Sequence, residues 1–590
     1  MEITRLFDFL TYQRDHYQRP DALNTKQNGK WVATSSDAFY EQSQQISRAL
    51  LAMGVQPGDK IGMISTNNRT EWCIVDMGVL QLGAINVPIY PTIAAADYEY
   101  ILNHSESQYC FVSDVEVYQK LVSVQPKIKG LKGIFCFDEI EGCTHWSTLL
   151  DEGKKLDNQE EVESLKAAVQ TEDLATIIYT SGTTGVPKGV MLSHSNIVFN
   201  SLQSSKRLPI KVGESTALSF LPVCHIFERA ILYLYYYNGV RIFFAESLET
   251  ISDNLKETHP DMMTAVPRLL EKVYDKIYAR GAELSGLKQK LFYWAVDLGL
   301  QYQPYGKNGA WYEFKLKIAR KLIFSKWQEA LGGNIRLIAS GSAPLQPRLA
   351  QVFTAAGITI CEGYGLTETS PVISVNEMAN GGFRIGTVGK IIDGVEVKIA
   401  DDGEILCKGP NVMMGYYKDE AKTAEVMTGA YFHTGDIGEL DSDRFLKITD
   451  RKKEMFKTSG GKYIAPAIIE GQMKQSLFIE QIMVIGEGQK MPAALIQPNF
   501  EYVTEWTKEN KIDCDTSDLK ALCRNEQLLK ALQVDIDQHN EKFGKWEQIK
   551  KFELTPEVWS IDAGHLTPTM KLKRKVVKEI YKDLIDSIYS

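Results

Sequence analysis

One stretch of the chain gathers groups that suit a polyphosphate. It reads Tyr179-Thr180-Ser181-Gly182-Thr183-Thr184-Gly185-Val186-Pro187-Lys188-Gly189. An apolar run, Ala175 to Tyr179, leads in and another, Gly189 to Leu192, leads out, so a loop between two strands is expected. Glycines let the backbone approach a ligand closely and turn N–H groups toward it. The hydroxyls of Thr180, Ser181, Thr183 and Thr184 add donors, and Lys188 adds charge. A purely structural hairpin has no need of so many hydroxyls. Nor is this a Walker A loop, which requires a Gly-Lys-Ser/Thr ending. Here Pro187 precedes the lysine and Gly189 follows it.

Three more segments carry residues with chemical uses. Ser340-Gly341-Ser342-Ala343-Pro344-Leu345 follows an apolar run, and its small residues let a flat base lie against backbone; alone it reads as a plain turn. Glu362-Gly363-Tyr364-Gly365-Leu366-Thr367-Glu368-Thr369 sets an aromatic face between glycines and a carboxylate between threonines. Tyr431-Phe432-His433-Thr434-Gly435-Asp436 ends in a carboxylate that could accept two hydroxyl donors. In this order the motifs resemble the adenylate-forming family of acyl-CoA synthetases, luciferases and peptide-synthetase adenylation domains. YTSGTTGVPKG is that family's phosphate-loop signature, and the resemblance runs from about Asp37 to Lys575.

The resemblance implies roles residue by residue. Gly341, Ser342, Ala343 and Pro344 line an adenine pocket. Tyr364, within the Glu362-Gly363-Tyr364-Gly365 turn, stacks on adenine. Thr367 bonds the α-phosphate, and Glu368 holds Mg2+, a hard cation that prefers carboxylate oxygen. Asp436 and Arg451 contact the ribose, although Arg451 alone reads as one solvated charge among several. Lys571, in Thr567-Pro568-Thr569-Met570-Lys571, matches the catalytic lysine; Met570 replaces the usual glycine, and Lys573 is the fallback. Without the resemblance, Lys571 is simply the basic start of a helix. Lys453 matches the pivot, and Gly460-Gly461-Lys462 the turn that guides coenzyme A.

The surrounding elements must position these groups. A chain of 590 residues is too long for one core. Helical patterns at Asp37–Met53, Trp72–Leu82 and Tyr98–His104 alternate with strand patterns at Lys60–Ser65, Ala84–Ile89 and Tyr109–Val112. This predicts an α/β fold of layered subdomains. Residues 1–449 are expected to form the adenylation domain, with a β-rich subdomain over 386–449. Residues 450–453 are expected to be a hinge, and 454–590 a mobile, smaller α+β domain whose last helix carries Val576, Val577, Ile580, Tyr581, Leu584, Ile585 and Ile588 on one face. Ala230–Tyr237 is read as a buried core element. The aromatic-rich helical segment from Glu283 to Leu331 is read either as ordinary packing or as an insertion beside an apolar substrate.

Composition narrows the function. A formal net charge of -9 argues against general nucleic-acid binding. The nine cysteines are scattered and are read as buried free thiols in a reducing compartment. No signal peptide or membrane-length apolar run is evident. Leu221-Pro222-Val223-Cys224-His225-Ile226-Phe227-Glu228-Arg229 and Val266-Pro267-Arg268 resemble the long-chain acyl-CoA synthetase branch. There His225 stands at the carboxylate and acyl site; its bland reading is a hydrogen-bonded histidine near a core. The implied activity is ATP-dependent ligation of a fatty acid to coenzyme A through an acyl-adenylate, with ATP, Mg2+ and coenzyme A required. The alternative is an acyl-AMP ligase that passes the acyl group to a carrier protein. A cytoplasmic location is expected, with peripheral contact at the inner face of the membrane and a homodimer left open.

Overall fold

The computed structural model describes residues 2–181, 186–561, 563–567 and 571–590. Two compact units divide them. The larger holds the residues up to Lys398 with Leu406–His433 and Asp441–Leu446; the smaller holds Ile399–Ile405, Thr434–Leu440 and Lys447–Ser590.

Two large sheets build the larger unit. The first runs, in spatial order, Lys390–Ile391, Val372–Val375, Thr359–Gly365, Leu337–Ser340, Met262–Ala265, Thr216–Ser219, Arg241–Phe244, Leu23–Gln27, Lys30–Thr34. From Thr359–Gly365 to Leu23–Gln27 every neighbouring pair is parallel. The second runs Gly415–Tyr416, Pro187–Ser193, Leu174–Ser181, Ile85–Ile89, Lys60–Ile64, Ser107–Val112, Gly133–Cys136, Thr144–His145. The predicted alternation is present: helices Ser36–Ala52, Thr70–Gln81 and Ala95–Ser105 separate strands Lys60–Ile64, Ile85–Ile89 and Ser107–Val112. Ser35 caps the first of these helices by accepting from the Ala38 N–H. Thr70–Gln81 is buried on every side, so it lacks the one-sided apolar stripe of a surface helix. Ile226–Tyr237, which contains the AILYLYYY run, is likewise a core helix.

Arg229, on that core helix, has no exposed surface. Its guanidinium pairs with Asp76 at 2.6 Å and donates to Thr176 Oγ1 at 2.7 Å and Tyr233 Oη at 3.1 Å. The Tyr233 hydroxyl and the Asn86 amide each donate to Asp76 at 2.6 Å. Thr176 passes its own hydrogen to the Asn86 carbonyl. A buried charge pair is tolerated only when its remaining polar atoms find partners, and this network supplies them. It joins the core helix to two strands of the second sheet.

In the smaller unit, strands Ile479–Ile485, Ala493–Pro498 and Lys551–Leu554 form a sheet. Alternate side chains serve two cores, as the pleat requires. Ile482, Val484, Ala494 and Ile496 face one, and Met483, Ile485, Ala493 and Leu495 the other.

Two expectations change. The last helix is two helices, Arg574–Ile580 and Lys582–Tyr589, broken at Tyr581, and Ile580 is exposed while Val577 and Ile588 are buried. Cys136 and Cys143 are disulfide-bonded, not free. Strand Gly133–Cys136 pairs in parallel with Thr144–His145, which returns the chain and brings the two cysteines together. The other seven cysteines are free thiols. Within the stretch 450–453, Asp450 and Arg451 end the strand Leu446–Arg451, and Asp450 is buried.

Replacing Arg229 by Met should strand the Asp76 carboxylate in the core. Breaking such a pair costs about 3–5 kcal/mol. The first unfolding transition in urea should move down accordingly, and the double variant with Asp76→Leu should recover part of the loss. An unshifted transition for Arg229→Met would contradict the role given to the network.

Candidate active site

Loops at the carboxyl ends of four neighbouring parallel strands hold most of the motifs in the larger unit. Strand Thr216–Ser219 leads to the His225 loop, and Met262–Ala265 to Val266-Pro267-Arg268. Leu337–Ser340 leads to Gly341-Ser342-Ala343-Pro344, while Glu362-Gly363-Tyr364-Gly365 ends strand Thr359–Gly365. In open parallel sheets this edge is where ligands bind.

The nucleotide motifs meet there. Ser340 pairs with Glu362 across the two strands. The Leu345 N–H donates to the Glu362 carboxylate at 3.3 Å, and burial pushes that carboxyl up to about 8. A Cβ on Gly341 would lie 3.5 Å from the Gly363 carbonyl and 3.6 Å from the Phe227 ring. Thus the segment after Ser340, the Tyr364 turn and the His225 loop converge. A Cβ on Gly365 would sit 1.7 Å from the Pro371 carbonyl oxygen, so only glycine fits. Ser342 adopts a left-handed φ of 69°. Thr367 is buried and Glu368 half-buried, in the short 3-10 turn Thr367–Thr369.

The phosphate loop joins two antiparallel strands, as its flanks predicted, with Thr180 opposite Lys188. Gly182, Thr183, Thr184 and Gly185 lie outside the described residues, and so does the Ser181 side chain. Lys188 extends its ammonium over the Tyr416 ring, 5.4 Å from the centroid. The Tyr416 hydroxyl donates to Glu368 Oε1 at 2.9 Å. Tyr416 therefore links the loop lysine to the expected metal ligand. Sequence reasoning missed it. The Gly415-Tyr416-Tyr417 run shows no chemical pattern of its own; its role appears only once Gly415–Tyr416 pairs with the strand leaving the loop. Burial and the neighbouring Glu368 charge raise the Tyr416 phenol well above its usual range, which keeps it a donor.

His225 caps the core helix, its Nδ1 accepting from the Phe227 N–H at 3.1 Å. That bond leaves the hydrogen of a neutral ring on Nε2. Behind the loop, Glu228 accepts from Ser219 at 2.5 Å and Thr264 at 2.6 Å. Burial raises its carboxyl to about 7. Asn68 donates to Ser219 and to the Leu221 carbonyl and accepts from the Val223 N–H. Arg268 pairs with Glu271 at 2.8 Å.

Within the smaller unit, Asp436 is buried and lies 3.4 Å from Arg451 Nε. Glu404 holds the adjoining backbone, accepting from the Gly435 N–H and the Lys452 ammonium. Lys453 is exposed in the turn after Arg451. Gly460 and Gly461 occupy an exposed turn between strands Phe456–Lys457 and Tyr463–Ile464, where Gly461 takes a φ of 74°. Lys571 is tied to Thr567: the Thr567 N–H donates to the Lys571 carbonyl at 2.8 Å, and the Lys571 N–H donates to Thr567 Oγ1 at 3.0 Å. Pro568, Thr569 and Met570 lie outside the described residues. Arg574 then bonds Glu454 at 3.1 Å and also Glu470, tying the end of the Lys571 segment to the stretch after Lys453.

Comparison with known proteins decides the family. The model of AMP-binding enzymes matches residues 12–417, and that of the AMP-binding enzyme C-terminal domain matches 454–590. The chain belongs to the AMP-binding enzymes. A long-chain-fatty-acid–CoA ligase of Mycobacterium bovis is 34% identical over 95% of this chain and 93% of its own. Long-chain-fatty-acid–CoA ligase 1 of Homo sapiens is 34% identical over 95% of this chain and 82% of its own. Solved structures share the fold. The adenylation domain of a Mycobacterium chelonae carboxylate reductase has a TM-score of 0.75 at 21% identity, covering 99% of this chain and 91% of that one. The o-succinylbenzoate coenzyme A synthetase of Bacillus subtilis, in complex with ATP and magnesium ion, has a TM-score of 0.65 at 20% identity, covering 97% and 99%.

The residues present fit this family's requirements. Ser340 Oγ is buried without a hydrogen-bond partner beside the segment that the resemblance assigns to adenine, so a polar ligand edge could satisfy it. Glu368 has the hard carboxylate oxygen that would suit Mg2+. Tyr416 fixes that carboxylate, and outer partners of this kind alter metal affinity by about 10–100-fold. Tyr416→Phe should therefore raise the Mg2+ concentration needed for half-maximal ATP–pyrophosphate exchange about tenfold. An unchanged Mg2+ dependence would remove Tyr416 from the site.

Proposed function

We propose that this AMP-binding enzyme is a long-chain fatty acid–CoA ligase. It converts ATP, a fatty acid and coenzyme A into acyl-CoA, AMP and diphosphate through an acyl-adenylate. The observation that carries this reading is the match over 95% of the chain to a relative named for the activity. The gathering of a lysine, a phenol and a carboxylate beside the phosphate loop supports its nucleotide half. Transfer to a carrier protein is the less favoured alternative, since the relatives are named as CoA ligases.

In the first half-reaction the fatty acid carboxylate attacks the α-phosphorus, and the bond to diphosphate breaks. Positioning and charge neutralisation dominate such a transfer. Mg2+ supplies part of that neutralisation when bound, held by Glu368. Thr180 to Lys188 hold the polyphosphate, Thr367 bonds the α-phosphate and Tyr364 stacks on the base. Asp436 and Arg451 hold the ribose. Lys571 bridges the carboxylate and the α-phosphate as the bond forms, and His225 stands at the acyl end. In the second half-reaction the thiol of coenzyme A attacks the acyl carbon and AMP leaves. Two different sets of groups must serve one carbon. The smaller domain therefore turns about Lys453, withdraws Lys571 and presents Gly460 and Gly461 to coenzyme A.

A cytoplasmic location with peripheral contact at the inner face of the membrane is part of this reading. It is supported by the need for ATP and coenzyme A and by the residence of long acyl chains in bilayers. Among the described residues no helix is long and apolar enough to cross a membrane.

Assaying the half-reactions separately tests the roles. Lys571→Ala should abolish acyl-adenylate formation yet still turn supplied acyl-AMP into thioester. Lys453→Pro should keep ATP–pyrophosphate exchange and lose thioester formation. Equal damage to both half-reactions in either variant would sink the assignment for that residue.

A further inference from the structure

The segment Glu283 to Leu331 divides its aromatic residues between two environments. Helix Ala310–Ala319 runs through a π-helical turn, Arg320–Phe324, into helix Ser325–Ala330. Tyr312, Leu316, Phe324 and Trp327 pack into a core with Phe292. The opposite face carries Trp311, Phe314, Ile318 and Leu322, spaced three, four and four residues apart, which is one stripe of a helix. Trp311 is 70% exposed, Phe314 53% and Leu322 50%. The rings of Trp311 and Phe314 stack at 5.5 Å and 16° to form a flat ledge. A run of large apolar groups on an exposed face marks an interaction surface.

Charge identifies the occupant. From Lys307 to Lys326 there are six basic residues and one acidic residue, Glu313. Lys307, Lys317, Lys321 and Lys326 are exposed. This local excess stands in a chain whose formal net charge is -9, so the whole molecule is repelled by an anionic surface while this helix is drawn to one. Tryptophan, phenylalanine and leucine on one helix face, with lysines beside them, is the pattern of a helix lying in a bilayer interface.

We infer that the helical segment 310–326 docks the enzyme on an anionic lipid bilayer, with Trp311, Phe314, Ile318 and Leu322 entering the headgroup boundary and the lysines meeting lipid phosphates. The inference rests on the peripheral location given above and names its surface. It also gives the enzyme access to fatty acid dissolved in the membrane.

Co-sedimentation of the full chain with vesicles tests it, without substrates and so apart from ligase activity. The protein should bind vesicles of phosphatidylcholine mixed with phosphatidylglycerol, more weakly as salt rises, and bind pure phosphatidylcholine poorly. Trp311→Ser with Phe314→Ser should abolish binding while leaving ligation of a short soluble acid unchanged, which also shows that the variant is folded. Lys317→Ala and Lys321→Ala should weaken binding to the mixed vesicles by about fivefold per lysine. If the wild type ignores both vesicles, the peripheral location fails and this inference with it. If the wild type binds and the aromatic variant binds equally, the location stands and this surface is wrong. If the aromatic variant turns a dimer into a monomer without changing vesicle binding, the face joins two copies and the inference is overturned.

Discussion

The buried pair of Arg229 and Asp76 is the constraint on which the larger domain depends. An ion pair with no water around it gains little net stability, because desolvation offsets most of the Coulomb attraction. Its value lies in geometry. Each nitrogen of the guanidinium and each oxygen of the carboxylate has a specific partner, and these span the core helix, helix Thr70–Gln81, the Thr176 strand and the Asn86 strand. A half-turn of the helix, or a slip of one strand, would strand a charge in the core. The helix begins at His225 and the Thr176 strand runs into the phosphate loop. One network thus fixes the His225 loop relative to the loop after Thr180, although they belong to different sheets.

Around that fixed frame the site is built from loops. Four parallel strands end together, and their loops bring small residues, Tyr364 and the His225 turn to one edge. The strand pair of the phosphate loop contributes Lys188, and an added edge strand contributes Tyr416, which reaches Glu368. Rigid strands hold the groups proposed to bind nucleotide. The groups proposed to change between half-reactions, Lys571 and the Gly460–Gly461 turn, stand instead on the smaller domain, where Arg574 links their supporting segments through Glu454 and Glu470.

Much of this was legible in the sequence because the physics was local. The hydroxyls and glycines between two apolar runs announced a strand–loop–strand, and Thr180 does face Lys188. The alternation from Asp37 to Val112 announced parallel layers. What escaped was set by distant partners. Tyr416 matters through a carboxylate 48 positions away, and Arg229 through Asp76, 153 positions away. Cys136 and Cys143 are joined because two short strands pair in parallel, which their spacing does not reveal. The final helix was read as continuous because its apolar residues keep helical spacing, yet the chain breaks at Tyr581. Periodicity reports the buried face of a helix and says nothing about where its axis changes. Of the two readings of the aromatic segment after Glu283, ordinary packing holds for the half that is core, while the other half faces outward.

Activation of a fatty acid as its adenylate is the central claim, and product analysis across a series of acids tests it most directly. The purified protein, given ATP, Mg2+ and coenzyme A, is supplied in turn with acids from acetate to oleate, and AMP and thioester are quantified together. The account predicts equal amounts of AMP and acyl-CoA, formed fastest with the long acids. ADP in place of AMP, or a preference for acetate, would contradict it.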